Sequence, residues 1–235
     1  MNETQRSEGP ILTRDSTFSF ACHADLPCFT QCCRDVNIYL TPYDILKLRR
    51  ALGISSGEVL EKYTRAFLAG PAQIPFVQLL MDPETLYCRL VTEDGCSVYD
   101  NRPWACRMYP LDPADRIGEY RIIVGKERCL GLKEAATCSV GEWLHRQGLE
   151  SYGEMDAAFQ AVMSKDVQPG SELAERFRKL LCLVYDIDRF AAMIQGDTFQ
   201  SFYGLDEEVV REALEDDEAL LRLAFDYIRA ELEAS

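Results

Sequence analysis

The chain has 235 residues, 47% of them hydrophobic, and a formal net charge of −14. That length and apolar content can fill a sizeable core, so disorder is not the default. The charge is uneven: residues 196–235 carry twelve Asp/Glu against three Lys/Arg, whereas residues 20–138 carry fifteen against fourteen. With no basic stripe to displace counterions, neither nucleic acid nor an anionic membrane surface is an expected partner.

The opening Met-Asn-Glu-Thr-Gln-Arg-Ser-Glu lacks the apolar run of a signal peptide, and no later segment approaches the ~20 apolar residues of a membrane span. The expected location is the cytoplasm. In that reducing compartment the ten cysteines point to metal or redox chemistry rather than to structural disulfides.

In chain order, residues 1–16 read as a flexible lead. Thr17 to Ala21 is a short extended segment that delivers Cys22. Val36 to Leu40 alternates as a short strand, and Thr41-Pro-Tyr-Asp44 caps a helix carrying Ile45, Leu48 and Leu52 to a stop at Gly53. Ser55 to Glu58 is a second capping box. The apolar positions Val59, Leu60, Tyr63, Phe67 and Leu68 extend its helix to Gly70-Pro71, which predicts a helical hairpin. Phe76–Met81 and Thr85–Leu90 read as a small β-hairpin with Cys88 on its second strand. Cys96 follows the Asp94-Gly95 turn, Trp104–Met108 is one helical turn bearing Cys106, and Tyr120–Val124 is a strand ending at Gly125. Beyond Ser139 the pattern is helical: a capping box at Ser139 to Glu142, a helix over about 148–165, and a break at Gln168 to Ser171. A long amphipathic helix follows from Leu173 to Ile194, and a terminal helix carries its acids on the solvated face.

The chemistry lies in the cysteines. Cys28, Cys32 and Cys33 fall within six positions beside Pro, Gln and Arg, where thiols used only as small hydrophobes would not be bunched. Cys88, Cys96, Cys106, Cys129 and Cys138 each stand in a polar or turn-rich setting, so several loops can bring thiolates to zinc or to an iron–sulfur cluster. Adjacent side chains project in different directions, which makes Cys32 and Cys33 awkward ligands for one ion. They are natural ligands for two neighbouring ions or for a polynuclear centre. Cys182, inside Leu180-Leu-Cys-Leu-Val184, reads as a small core hydrophobe. His23 neighbours Cys22 and is a minor candidate.

Arg34, Arg89 and Arg107 each follow a cysteine directly, and Arg102 stands four residues before Cys106. A four-thiolate centre carries about −2, so nearby guanidinium groups would offset that charge and tune a cluster's potential. These four arginines are the expected cofactor-facing cations.

Several features together resemble the YkgJ-like family of zinc- or iron-chelating cysteine-cluster proteins, known for a CxxCxxCC signature. They are Cys32-Cys33-Arg34, the helix opened by Thr41-Pro-Tyr-Asp, Cys88-Arg-Leu with Gly95-Cys-Ser-Val-Tyr, Arg102-Pro-x-x-Cys106-Arg-x-Tyr-Pro110, and Cys129-Leu-Gly-Leu followed by Trp143-Leu144. The resemblance runs from Phe20 to about Trp143. It implies that Cys22, Cys28, Cys32, Cys33, Cys88, Cys96, Cys106 and Cys129 are the metal ligands. The spacing Cys22-x5-Cys28-x3-Cys32 is looser than the family pattern. Such proteins are often labelled iron–sulfur oxidoreductases, and a related cysteine cluster occurs in the flagellin lysine methylase.

Other cofactors are unsupported. Radical-SAM spacing would need a cysteine where Asp35 stands, and no ferredoxin run, dinucleotide fingerprint, P-loop or H-E-x-x-H appears. The expected fold is α+β and predominantly helical. Residues 17–145 would form a cysteine-cluster metal-binding domain with short strands, and residues 146–235 a helical region packed on it. The expected function is metal binding at a polynuclear or paired thiolate site. It would be iron–sulfur with a redox or protein-modification role, or alternatively a zinc-bound structural or interaction module without catalysis. Catalytic residues are not legible, and the partner is an unidentified protein or small molecule.

Overall fold

The computed structural model describes residues 9–70, 73–163 and 168–233. The first eight residues of the expected flexible lead, Pro71 in the expected Gly70-Pro71 stop, and Lys165 at the end of the expected 148–165 helix lie outside them. The fold is α+β and predominantly helical, and its strands are short. Among the described residues no helix is long and apolar enough to cross a membrane.

The chain divides into two compact units, Met1–Ile38 with Met81–Tyr152, and Tyr39–Leu80 with Gly153–Ser235. The boundary differs from the expected one at residue 145. Residues 39–80, read from sequence as part of the cysteine domain, fall in the second unit, because their helices and sheet bury apolar faces among the later helices.

The first unit is built from very short elements. Strand β1 (Thr17–Ser19) pairs antiparallel with β9 (Thr137–Ser139), placing Phe18 opposite Cys138. Strands β5 (Val91–Thr92) and β6 (Gly95–Cys96) form a tight hairpin, and β7 (Leu111–Pro113) pairs with β8 (Tyr120–Ile122). The helices α3 (Trp104–Met108) and α4 (Val140–Arg146) complete it, the latter opened by the Ser139/Glu142 capping box. Phe18, Leu90, Val98, Met108, Leu111, Leu132, Val140 and Leu144 are buried. The Trp143 ring takes Phe18 and Phe20 edge-on at 6.0 and 5.1 Å. Two- and three-residue strands bury little on their own.

The second unit holds a three-stranded sheet in the order β2 (Tyr39–Leu40), β4 (Ile74–Leu79), β3 (Thr64–Ala69). Helix α1 (Pro42–Leu52) has the expected Thr41/Asp44 capping box and a left-handed Gly53 at its end, and α2 (Ser56–Tyr63) has the Ser55/Glu58 box. The later part of α5 (Leu149–Met163) belongs here, with α6 (Glu172–Tyr185), α7 (Ile187–Ile194), α8 (Asp197–Tyr203), α9 (Glu207–Glu215) and α10 (Asp217–Glu233). Tyr43, Leu46, Phe177, Leu181, Phe190, Leu221 and Phe225 are among the fully buried side chains. Arg49 ties α1 to Asp188 and Asp217 at 2.8 and 2.9 Å.

Three expected elements are corrected. The helix after Ser55 stops at Tyr63, where the Thr64 hydroxyl donates back to the Leu60 carbonyl at 2.7 Å. Phe67 and Leu68 then lie on β3, and Phe67 stacks on its cross-strand partner Phe76. Residues 85–90 form no strand: Cys88 makes only an isolated bridge to Met81, and Phe76 pairs with β3 instead. The long helix over 173–194 breaks at Asp186, whose carboxylate accepts a hydrogen bond from the buried Ser56 hydroxyl at 2.8 Å. Alternating aromatic and β-branched residues in 64–79 satisfy a period of two as well as 3.6, and pairing across the sheet decides between them.

Candidate metal centre

All eight expected ligands lie in the first unit, and the main chain explains how they meet. The loop carrying Cys22, Cys28, Cys32 and Cys33 is stitched down on two sides. On one side the Ala21 amide donates to the Gly131 carbonyl at 3.0 Å. A Cβ on Gly131 would stand 2.5 Å from the Ala21 carbonyl oxygen, so only glycine permits this approach. That contact lays Cys22 beside Cys129. On the other side the Cys88 amide donates to the Cys33 carbonyl and the Asp35 amide to the Leu86 carbonyl, both at 2.8 Å. That contact lays Cys33 beside Cys88. The loop itself is a turn of 3-10 helix, Gln31–Cys33, entered through a left-handed Thr30.

The thiols consequently fall into two neighbourhoods. Burial pushes the Cys22 thiol up to about 11, and the charges that add to the shift belong to Cys32, Cys129 and Cys28. The Cys33 thiol is raised by its hydrogen bond with Cys32, by burial, and by the charges of Cys32, Cys106 and Cys88. Burial raises Cys88, opposed by the Leu90 amide, with Cys96 as its charged neighbour. Burial likewise raises Cys96, which feels Arg102 and Cys32. Cys22, Cys28 and Cys129 thus lie toward one side and Cys33, Cys88 and Cys106 toward the other, while the charge of Cys32 reaches Cys22, Cys33 and Cys96 alike.

Cys32 and Cys33 are the seam. Their sulfurs are 3.9 Å apart, and the hydrogen bond from Cys33 is the main cause that holds Cys32 down to about 7. The neighbouring thiol thus favours the thiolate form of Cys32, the form that takes up a soft metal.

Backbone donors already face the sulfurs. The Leu130 amide donates to Cys28 Sγ at 3.3 Å and the Leu90 amide to Cys88 Sγ at 3.4 Å. Such N–H groups stabilise thiolate and orient it toward a metal. Exposure is graded: Cys22 and Cys32 are exposed, Cys129 is buried, and the other five are intermediate. Among the described residues no group of three or more His, Cys, Asp or Glu is already closed into a metal-holding arrangement. Protonated thiols do not draw together, whereas an ion does so by displacing the protons. The donor set, eight thiols with amides on two of the sulfurs, fits zinc or iron–sulfur ligation.

The arginines separate in role. Arg102 is the cation whose charge reaches Cys32 and Cys96. Its guanidinium lies 3.9 Å from the Tyr99 ring centroid and donates to the Tyr99 carbonyl and to the Gln147 side chain. Arg107 is buried and spends its guanidinium on main-chain carbonyls of Arg102 at 2.9 Å, Gln147 at 2.7 Å, and Asp100. It clamps the loop before α3 rather than lending its donors to sulfur. Arg34 donates to the Thr85 carbonyl and covers the Tyr87 ring, and the charge of Arg89 acts on Asp82.

His23 faces Asp25 at 3.5 Å and Glu134 at 3.9 Å. Cys138 is buried in the β1–β9 pair, and its charged neighbours are Arg146 and Glu142 rather than cysteines. Cys182, expected in the core, is exposed: α6 turns Leu181 inward and its neighbour outward. Sequence reasoning passed over Tyr109. Its phenol interacts with the Cys129 thiol and lies in the field of Cys32 and Cys28, and burial with those charges raises it. The available signal was its place in the Cys106-Arg-x-Tyr-Pro110 run.

Residues 21–139 match the model of the CxxCxxCC family, described as "Putative zinc- or iron-chelating domain". No curated protein and no solved structure matches.

Proposed function

Because the chain belongs to the CxxCxxCC family of zinc- or iron-chelating domains, we propose that it holds a paired thiolate centre of the iron–sulfur type. Its role would be redox or protein modification in the cytoplasm. Cys22, Cys28, Cys32 and Cys129 would hold one metal group, and Cys33, Cys88, Cys96 and Cys106 the other. The observation that supports this reading is the stitching of the 22–33 loop on two sides, Ala21 to Gly131 near Cys129 and Cys33 to Cys88, which brings its thiols toward those of both later segments. An iron–sulfur group supplies one-electron transfer. The protein's own residues add Arg102, whose charge offsets thiolates in both groups, and the amides of Leu90 and Leu130, which hold two sulfurs in place. The partner is a protein or small molecule rather than nucleic acid or membrane.

A second reading is favoured by the brevity of the strands described in the first unit, all of two or three residues. Two four-thiolate zinc ions would serve as the cross-links such a unit lacks, and the protein would be a structural or interaction module. A visible absorption spectrum of protein purified without oxygen separates the two. Broad visible absorption that bleaches on reduction supports iron–sulfur, and a colourless protein containing zinc supports the module.

A further inference from the structure

The sheet of the second unit ends on an open edge. Strand β3 pairs with β4 and with no other strand among the described residues. The Leu80 amide meets the Tyr63 carbonyl at 2.8 Å, and Thr64 to Ala69 continue that ladder opposite Leu79 to Ile74. Antiparallel pairs alternate between bonded and unbonded, so Arg65, Phe67 and Ala69 spend their main-chain groups on β4, while those of Ala66 and Leu68 point away from it. Edges of this kind are ordinarily blunted by lysine, proline or a bulge. β3 has no proline and an unbroken register, and Arg65, its one charge, donates to the Gln78 side chain at 2.8 Å.

Both faces at this edge are apolar. Phe67 is 37% exposed and stacks on the exposed Phe76 with centroids 6.1 Å apart. The exposed Tyr39 ring stands across these two at 6.1 and 6.2 Å. On the opposite face Leu68 is 52% exposed, and Ala66 is exposed as well.

We propose that this edge takes the same edge of a second copy of the chain, the two β3 strands pairing antiparallel about a two-fold axis at Phe67 and joining their sheets into one. The strand is self-complementary in that register. The outward main-chain groups of Ala66 face those of Leu68 in the second copy, and the Leu68 side chain lies over Ala66. Phe67 meets its own counterpart at the close, unbonded position, which carries the row of rings across the axis. Arg65 falls opposite Ala69, so no like charges meet. A second copy therefore covers both exposed apolar side chains of the strand from the strand's own sequence. The inference is independent of the metal centre.

Sedimentation equilibrium of the full chain over a range of concentrations is the test, with hydrogen exchange of residues 64–69 followed on the same samples. Wild type should pass from one chain to two as concentration rises, and exchange in the segment should slow in step. Ala69→Arg sets a second cation opposite Arg65 and should weaken the dimer about fivefold, whereas Ala69→Glu sets an anion there and should tighten it by about as much. Ala66→Pro deletes an outward N–H that the fold does not use and should abolish the dimer with the circular dichroism of the chain unchanged. If Ala66→Pro fails to fold, the two Ala69 variants still decide. A wild type that stays monomeric at every concentration would overturn the proposal and leave the edge to a strand of another protein. A dimer equally strong in both Ala69 variants would overturn it too, by placing the contact on another face.

Discussion

The sulfurs of Cys32 and Cys33 stand 3.9 Å apart, and besides each other they face different thiols: Cys32 acts on Cys22, which also feels Cys129 and Cys28, whereas Cys33 feels Cys106 and Cys88. On the paired-centre proposal, one peptide bond separates two coordination groups. Cys33→Ala and Cys106→Ala should remove the same part of the metal, and Cys28→Ala and Cys129→Ala the other part. Metal analysis of the four variants checks this. Any single substitution that empties the whole centre while the chain stays folded would favour one polynuclear site instead.

Arg107 and Arg102 should part in their effects. Arg107→Gln strands main-chain carbonyls of Asp100, Arg102 and Gln147 and should cost about 1–3 kcal/mol of stability, with metal stoichiometry kept. Arg102→Gln removes the charge near Cys32 and Cys96. If the centre is iron–sulfur, its reduction potential should fall, because the more negative reduced form loses a compensating cation. Potentiometry on both variants is the measurement, and a larger shift from Arg107→Gln would reverse the assignment.

Cys182→Ala should leave metal content unchanged and alter stability by less than about 0.5 kcal/mol, since the side chain is exposed. Chemical denaturation and metal analysis together check both halves. The sequence places this cysteine in the most apolar run of its helix, and the run misleads because the buried stripe of α6 follows Ala174, Phe177, Leu180, Leu181 and Val184. That helical spacing leaves position 182 off the stripe, so an apolar neighbourhood in sequence does not make it core.

Asp156 contributes a pH dependence to the second unit. Burial and the charge of the buried Asp44 raise its carboxyl to about 6, above the ~3.9 of an unfolded chain. A raised carboxyl contributes stability that is full below the unfolded value and is lost as pH rises through the folded one. Asp156→Asn should therefore gain of order 1 kcal/mol over wild type at pH 7.5 and lose that advantage by pH 4. Denaturation midpoints of the two proteins at both pH values test the sign, and an equal offset at both would remove Asp156 from the account.

How much was legible follows from the same particulars. The capping boxes at Thr41, Ser55 and Ser139 mark helix starts correctly because they are local chemistry, a side chain and an amide three residues apart. The adjacency of Cys32 and Cys33 points to two neighbouring ions or a polynuclear centre, since neighbouring side chains diverge. Which cysteine joins which group is not local. It depends on Gly131 letting the Ala21 carbonyl approach and on residues 33–35 zipping to 86–88, contacts across fifty or a hundred residues that spacing does not encode. Arg107 looks from sequence like a tuning cation because it follows Cys106, but the carbonyls that claim it come from turns before and after α3. Tyr109 escapes notice because a single aromatic carries no periodic signal.

Metal stoichiometry of the anaerobically purified full chain tests the central claim most directly. Two four-thiolate groups predict about two zinc ions, or about eight iron atoms with matching sulfide, per chain. Cys33→Ala should halve that figure. One zinc or four iron per chain in the wild type, lost entirely in Cys33→Ala, would contradict a centre divided between Cys32 and Cys33.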